Sequence, residues 1–325
     1  MIFKIVIIGA GQLGSRHLQA ITKLELETTI DVVDPNEAAL NLAYERVLEI
    51  GESYKKKEIR YLRSIDELSG KVDICIIATT ANVRFRILEQ LILKVEVKYL
   101  ILEKILFQNL ADYHEATEIL NTRKIKAWVN CPRRMFPIYQ EIKSLIKPNE
   151  KLIYTVLGGD WGLACNAIHF VDHLSYLNDN DEFEFSNSGI LKTIHAKRNG
   201  FYELSGTLQA TQSNKSEIIL HAKEQSLAGL NIQILANNYF WQINESRGEL
   251  LTSSSHNGWI PELTKFVIPY QSELSNIVCE DLLIKGNCDL TPFQSSVKLH
   301  LPMLKKFSEI FVKELKIPVD YYPIT

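Results

Sequence analysis

The stretch "VIIGAGQLGSRH", residues 6–17, leaves a chain few ways to fold. An apolar run that stops at Gly9, with Gly11 and Gly14 following, describes a strand that turns tightly into a helix. Gly9 permits the turn, Gly11 leaves the backbone bare, and Gly14 lets helix and strand pack closely. The remainder of residues 1–130 repeats this alternation. "TTIDVVD", "IRYL", "VDICIIAT", "KYLILEK" and "KAWVN" are short apolar runs. Between them lie helix-periodic segments such as "NEAALNLAYERVLEI", "RFRILEQLIL" and "NLADYHEATEILNTR". Ser64, with Glu67 three residues on, caps a further small helix. Strands that are apolar on both faces and separated by helices predict a parallel sheet covered on both sides.

After Pro132 the rhythm changes. One helix over about residues 136–146 leads to "KLIYTVLGG" and then to the helical "DWGLACNAIHFVDHLSYL". Alternating segments follow: "GILKTIHAK", "YELSGTLQAT", "SEIILHAK", "LNIQILA", "YFWQIN" and "GELLT". Gly200, Asn237-Asn238 and Arg247-Gly248 supply turns, so this half predicts a mostly antiparallel sheet. Two helices close the chain, over about 262–285 and 292–315, the second with Thr291 as N-cap and Pro292 at its first position. The expected class is α/β followed by α+β, with domains at 1–130 and 131–325 and helices on one face of the second sheet. Too few helices remain to cover both faces of that sheet. A homodimer or homotetramer through it is therefore expected.

The 325 residues are 46% apolar and 23% charged, which suits a globular protein. A net charge of −3 gives no footprint for nucleic acid, and the one basic run, Lys55-Lys56-Lys57, reads as a solvated loop. Five cysteines without a C-x-x-C pair suit reduced thiols. No uncharged apolar span reaches membrane length, and the N-terminal apolar run is too short for a signal peptide. These features predict a cytoplasmic protein.

The glycine loop sits where a dinucleotide's diphosphate would meet the first N–H groups of a helix, with Gln12 and Leu13 between the glycines. Asp34 ends the second apolar run twenty residues after Gly14, where a carboxylate accepts from both hydroxyls of an adenosine ribose. It would repel a 2′-phosphate, so NAD is favoured over NADP. A strand–turn–helix without ligand and a methyltransferase loop are the competing readings. In "DWGLACNAIHFVDHLSYL", His169, Asp172 and His173 lie close on one helix. The i, i+4 histidines have metal-pair spacing, but a zinc site needs at least a third protein ligand. His114, His195, His221, His256 and His300 are single histidines on separate elements, so no metal is expected. An inert polar face and a proton-transfer site are the other two readings.

With "GAGQLGSRHLQAI", "VDICIIATTANVRF", "LILEKI" and "NAIHFVDHLSYL" in this order, the chain resembles the Gfo/Idh/MocA oxidoreductases. That family includes glucose–fructose oxidoreductase and inositol dehydrogenase. The resemblance implies a Rossmann domain followed by a domain with a large, mostly antiparallel sheet. It also implies that Glu103 and Lys104 correspond to a Glu-Lys-Pro triplet whose lysine lies beside nicotinamide and substrate; Ile105 stands in place of the proline. In many members that proline forms a cis peptide bond.

The family's Asp-x-x-x-His-x-x-Asp signature is matched by His169 and Asp172, with Cys165 in place of the first aspartate and Asn166 beside it. By the resemblance, Thr79, Thr80 and Asn82 line the cofactor, and Arg84 takes a place often held by histidine. Arg134 matches a frequent arginine whose role ranges from substrate contact to a hinge salt bridge. His17 fits helix packing. The implied substrate is a sugar or polyol surrounded by Asn166, Asp172 and Arg134. Lys104 would hold the reacting oxygen and His169 would exchange its proton. A non-catalytic NAD-binding sensor of the same fold is the rival expectation.

Overall fold

The computed structural model describes residues 2–51, 57–186 and 191–325. Lys55 and Lys56 of the basic run, and the first two residues of "GILKTIHAK", lie outside the described residues. In chain order the elements begin with β1 (Phe3–Ile8), α1 (Gly14–Ile21), β2 (Thr28–Val33), α2 (Glu37–Leu48), β3 (Glu58–Leu62), β4 (Lys71–Ile77) and α3 (Ala81–Lys94). They continue with β5 (Glu96–Leu102), α4 (Leu110–Thr122), β6 (Lys126–Val129), α5 (Pro137–Leu145), β7 (Ile153–Gly158) and α6 (Leu163–Asn178). Next come β8 (Phe183–Phe185), β9 (Leu191–His195), β10 (Tyr202–Gln212), β11 (Glu217–Ala222), β12 (Asn231–Leu235) and β13 (Tyr239–Asn244). The chain closes with β14 (Glu249–Ser254), β15 (Glu262–Lys265), α7 (Gln271–Lys285), β16 (Thr291–Pro292) and α8 (Phe293–Leu315). Two compact units result: Met1–Asn130 with Pro269–Phe293 and Thr325, and Cys131–Ile268 with Gln294–Ile324.

The first unit holds a seven-stranded sheet in the order β3-β2-β1-β4-β5-β6-β16. Its strands are parallel except β16, which runs antiparallel to β6. Ile5, Val6, Ile7, Ile30, Ile74, Ile76, Leu100 and Leu102 are buried, which is why these strands carry no polar alternation. Asp31 is an exception inside β2, and its buried carboxylate is gripped by Arg60 of β3 through two 2.7 Å bonds. The strand order reverses between β1 and β4. Beyond the carboxyl ends at such a switch point lies the usual ligand crevice of an open parallel sheet. The glycine loop leaves β1 there.

The second unit holds a sheet in the order β8-β10-β11-β7-β12-β13-β14-β15, with β9 also paired to β10. Neighbours are antiparallel except β7 with β11. One face buries Tyr154, Val156, Leu208, Leu220, Ile232, Ile234, Trp241 and Ile243, and α6 packs against β10 and β11. The register pairs Ile153 with Leu235 and Leu157 with Asn231, placing Ile153, Leu157 and Leu235 together on the opposite face. All three are exposed, as is Leu263 of β15.

The helix expected over about 262–285 is two elements. Residues 262–265 pair with β14 as an edge strand, and α7 begins only at Gln271, after Pro269. Proline lacks the N–H that a continuous helix would require of it. The last helix likewise starts at Phe293, because Thr291 and Pro292 pair with β6 on the sheet edge, where a proline costs no ladder bond. Among the described residues, no helix is long and apolar enough to cross a membrane.

Candidate functional site

In the first unit the glycine loop is shaped by contact. Gly9 has φ +95°, and a Cβ on it would lie 2.9 Å from the carbonyl carbon of Ala78. A Cβ on Gly14 would stand 1.7 Å from the Gly9 carbonyl oxygen. Around Gly11 nothing lies within 4 Å of such an atom, so this is where the loop offers bare backbone to a ligand. The cradle fits a diphosphate. Asp34 is fixed beside it: one carboxylate oxygen accepts from Ala10 N at 2.7 Å and the other from Asn36 N at 2.9 Å. Each oxygen keeps a lone pair for a ribose hydroxyl.

Arg46 on α2 was not legible as part of this site. Its guanidinium donates to the Gln12 carbonyl at 2.6 Å, to Ser15 Oγ at 2.5 Å and to the Gln12 side-chain oxygen, tying the loop's outer side to α2. Nothing local in the sequence signals it, since the partners are about thirty residues away.

The ends of β4 and β5 carry the next group. Thr79 and Thr80 link β4 to α3, and Asn82 is exposed on the first turn. Thr79 Oγ1 is buried with no hydrogen-bond partner among the described residues. Glu103, just past β5, is buried, whereas Lys104 is half-buried; the Lys104–Ile105 peptide is cis. The bend that the resemblance attaches to proline is thus made with isoleucine. Arg84, rising from α3, donates to the carbonyls of Thr79, Ile105 and Leu106, the last at 2.8 Å. Burial lowers its pKa to about 10, against the opposing pull of Glu103.

The Glu103 carboxylate accepts from His17 Nε2 at 2.9 Å and from Asn130 Nδ2 at 2.6 Å. His17 Nδ1 lies 2.7 Å from Ser275 Oγ, which accepts from Gln271 Nε2 at 2.9 Å. Gln271 Oε1 in turn accepts from Asn130 at 3.0 Å and closes the ring. Burial pushes the Glu103 carboxyl up, but the bonds and charge of His17, the Asn130 bond and the Arg84 charge outweigh it and hold it below the ordinary value. His17 packs inside α1 and also holds this carboxylate.

In the second unit α6 opens at Gly162, whose φ of +75° is left-handed. The short link before it is tight: a Cβ on Gly159 would lie 2.0 Å from the Ser226 carbonyl oxygen. Leu163, Ala164, Ala167, Ile168, Phe170 and Val171 are buried. Cys165, Asn166 and His169 form a half-exposed stripe at helical spacing. Asn166 Nδ2 donates to the Trp161 carbonyl at 2.9 Å.

The neighbouring histidine has another fate. His173 is fully buried, with Nδ1 2.8 Å from the Tyr154 hydroxyl and its ring centroid 4.0 Å from that of Tyr139. Burial drives its pKa well below the usual imidazole value, and Arg133 and Arg134 add to this. Asp172 is only 1% exposed, and its two oxygens accept from Arg134 Nε at 2.8 Å and Nη2 at 2.7 Å. Two of the three residues expected around a substrate, Arg134 and Asp172, are therefore joined to each other. Asn166 and His169 share the open stripe. Among the described residues no three His, Cys, Asp or Glu side chains converge on a metal position.

The family model described as "Oxidoreductase family, NAD-binding Rossmann fold" (Gfo/Idh/MocA) matches residues 3–131. No curated protein matches the chain in sequence. Solved structures match it along nearly its whole length. UDP-N-acetylglucosamine 3-dehydrogenase from Acidithiobacillus ferrooxidans is 14% identical over 94% of this chain and 96% of its own, with a TM-score of 0.68. Scyllo-inositol dehydrogenase from Lactobacillus casei, solved with NAD(H) and scyllo-inositol, is 14% identical over 96% and 98%, with a TM-score of 0.67. The super-repressor mutant of Gal80p from Saccharomyces cerevisiae is 14% identical over 98% of both chains, with a TM-score of 0.71. Residues 3–131 thus match the Gfo/Idh/MocA model of an NAD-binding Rossmann fold, and over both units the chain has the fold of these solved structures.

Proposed function

We propose that the protein transfers a hydride between NAD(H) and a hydroxyl or keto carbon of a sugar, sugar derivative or polyol. The observation that carries this reading is the α6 stripe. A helix buried on its other sides leaves a histidine, an amide and a thiol half-open, and buries the second histidine as a neutral core residue.

Bound nicotinamide supplies the two-electron acceptor or donor. The chain's own residues do the rest. The bare backbone at Gly11 and the first turn of α1 receive the diphosphate, and Asp34 receives the adenosine ribose. Lys104 holds and polarises the reacting oxygen. His169 takes the hydroxyl proton in oxidation and returns it in reduction. Asn166 orients a neighbouring hydroxyl, and the Arg134–Asp172 pair fixes the later turns of α6 and presents the half-buried Arg134 to the substrate. Formation of NADH from NAD with any member of a sugar and polyol panel tests the reading, and its absence across the panel favours the second one. That second reading is an NAD-binding regulator without turnover, supported by the likeness to the Gal80p super-repressor mutant.

Asp34 sets the cofactor preference. Because Ala10 N and Asn36 N hold its carboxylate beside the loop, a 2′-phosphate would meet a fixed negative charge. NADH is expected to bind at least about tenfold more tightly than NADPH, a difference of roughly 1.4 kcal/mol. Titration followed by nicotinamide fluorescence measures it, and equal affinities would remove the role given to Asp34.

The open sheet face sets the assembly. Ile153, Leu157, Leu235 and Leu263 expose apolar surface on one side of the second unit's sheet. Exposed apolar side chains gathered on one sheet face point to association through it. A dimer or tetramer through this face is expected in light scattering. A monomer at micromolar concentration would rule it out.

A further inference from the structure

The α6 stripe has a carboxylate beside it that no step above uses. Glu203, the second residue of β10, reaches the first turn of α6, where one oxygen accepts from Ala164 N at 2.7 Å and from Cys165 N at 3.4 Å. The other oxygen lies 3.1 Å from the point where a side chain on Gly162 would begin, so the glycine leaves the carboxylate its place. The Cys165 thiol is a further hydrogen-bond partner.

The other charged and titratable groups around α6 are matched. Arg134 holds Asp172, Arg133 holds Glu245, and Lys143 holds Asp179. Tyr139 donates to Glu245, Tyr154 meets His173, and His221 of β11 meets Thr207. Among the described residues Glu203 forms no salt bridge. Burial raises its pKa above the ordinary carboxylate value, against the lowering effect of the Cys165 thiol and the N–H groups of Ala164, Cys165 and Leu204.

Cys165 and His169 are four residues apart, which puts their Cβ atoms roughly 5–6 Å apart on one face. Helical side chains lean towards the N-terminus, so the His169 ring leans towards the turn that Glu203 occupies. We propose that Glu203 is a positioning residue for His169: its carboxylate orders the first turn of α6 and stabilises the imidazolium formed when His169 holds the substrate's proton. This rests on the proton-transfer role given to His169.

Histidine NMR titration of the full chain tests it without any turnover, with His169→Ala identifying the resonance. Glu203→Gln should lower the His169 pKa by about half a unit to one unit, as expected for loss of a carboxylate that favours the imidazolium, and Glu203→Asp should restore part of it. In alcohol oxidation the base must start neutral, so the acidic limb of the Glu203→Gln pH profile should move to lower pH by the same amount. Superimposable His169 titrations in wild type and Glu203→Gln overturn the proposal. If Glu203→Gln fails to fold by circular dichroism, the wild type decides: the Glu203 carboxyl carbon and the His169 ring must each show the other's titration step, and independent curves overturn the pairing. Loss of the His169 role itself would show elsewhere, as undiminished turnover in His169→Ala with the titrations still coupled.

Discussion

His169→Ala is expected to lower turnover by about 10²–10⁴-fold, the usual worth of a positioned acid or base. NADH affinity should remain nearly unchanged, because Gly11 and Asp34, to which we assign the nucleotide, belong to the first unit while His169 sits on α6 of the second. Stability should change little as well. The side chain is half-exposed, so its truncation leaves no closed cavity of the kind that makes core truncations costly. The acidic limb of the oxidation profile should disappear with the imidazole. Steady-state rates across pH, set beside fluorescence titration of NADH, separate these effects. Undiminished activity would leave Lys104 as the proton carrier and return α6 to a purely structural helix.

Arg133→Met should cost about 3–5 kcal/mol of stability in the second unit, since it removes one partner of a buried pair and leaves the other uncompensated. The Arg133 and Glu245 side chains are only 13% and 15% exposed, and they meet through two bonds of 2.9 and 2.8 Å. Tyr139 also donates to Glu245 at 2.6 Å, so after the substitution one neutral hydroxyl would face a buried charge alone. The guanidinium lies 4.3 Å from the Phe170 ring centroid, and methionine retains much of that contact, which isolates the charge as the cause. Arg133→Met combined with Glu245→Gln should recover a large part of the loss, because no ion is then stranded. Urea unfolding of the two variants measures both effects. Equal midpoints for wild type and Arg133→Met would show that the pair contributes nothing.

Local pattern carried much of this architecture. The all-apolar runs around Ile7, Ile76 and Ile101 reveal a parallel sheet because both faces are covered, and the glycine spacing reveals the loop because a side chain at Gly14 has no room. Segments from Tyr202 to Ser254 were legible from their period of two. His169 was legible on its helix, but beside Asp172 and His173; Cys165 and Asn166 came only from the resemblance, and it is the burial of the other residues that joins them to His169 in one stripe. What the pattern did not contain was partnership across the chain. His173 differs from His169 only because Tyr154 and Tyr139 enclose it. Arg84, Arg46 and Glu203 look like ordinary surface charges until the carbonyls and N–H groups they serve are brought to them. Residues 262–265 read as helix because the exposed edge of β14, which recruits them as a strand, is invisible locally.

His17 is made early, and the serine against its Nδ1 follows 258 residues later. Gln271, which closes the ring around Glu103 through Asn130, is made only just before that serine. During synthesis the nucleotide-binding sheet can therefore form its strands long before the charge at the end of β5 receives its last ligands. The second unit's sheet from β7 to β15 emerges in the interval with all its strand partners already available. Domains that emerge whole can fold as units while the ribosome works, whereas contacts between distant stretches must wait for the later stretch. The parallel sheet that is translated first thus waits for residues 269–293, and the second unit, its sheet already made, waits in turn for residues 294–324.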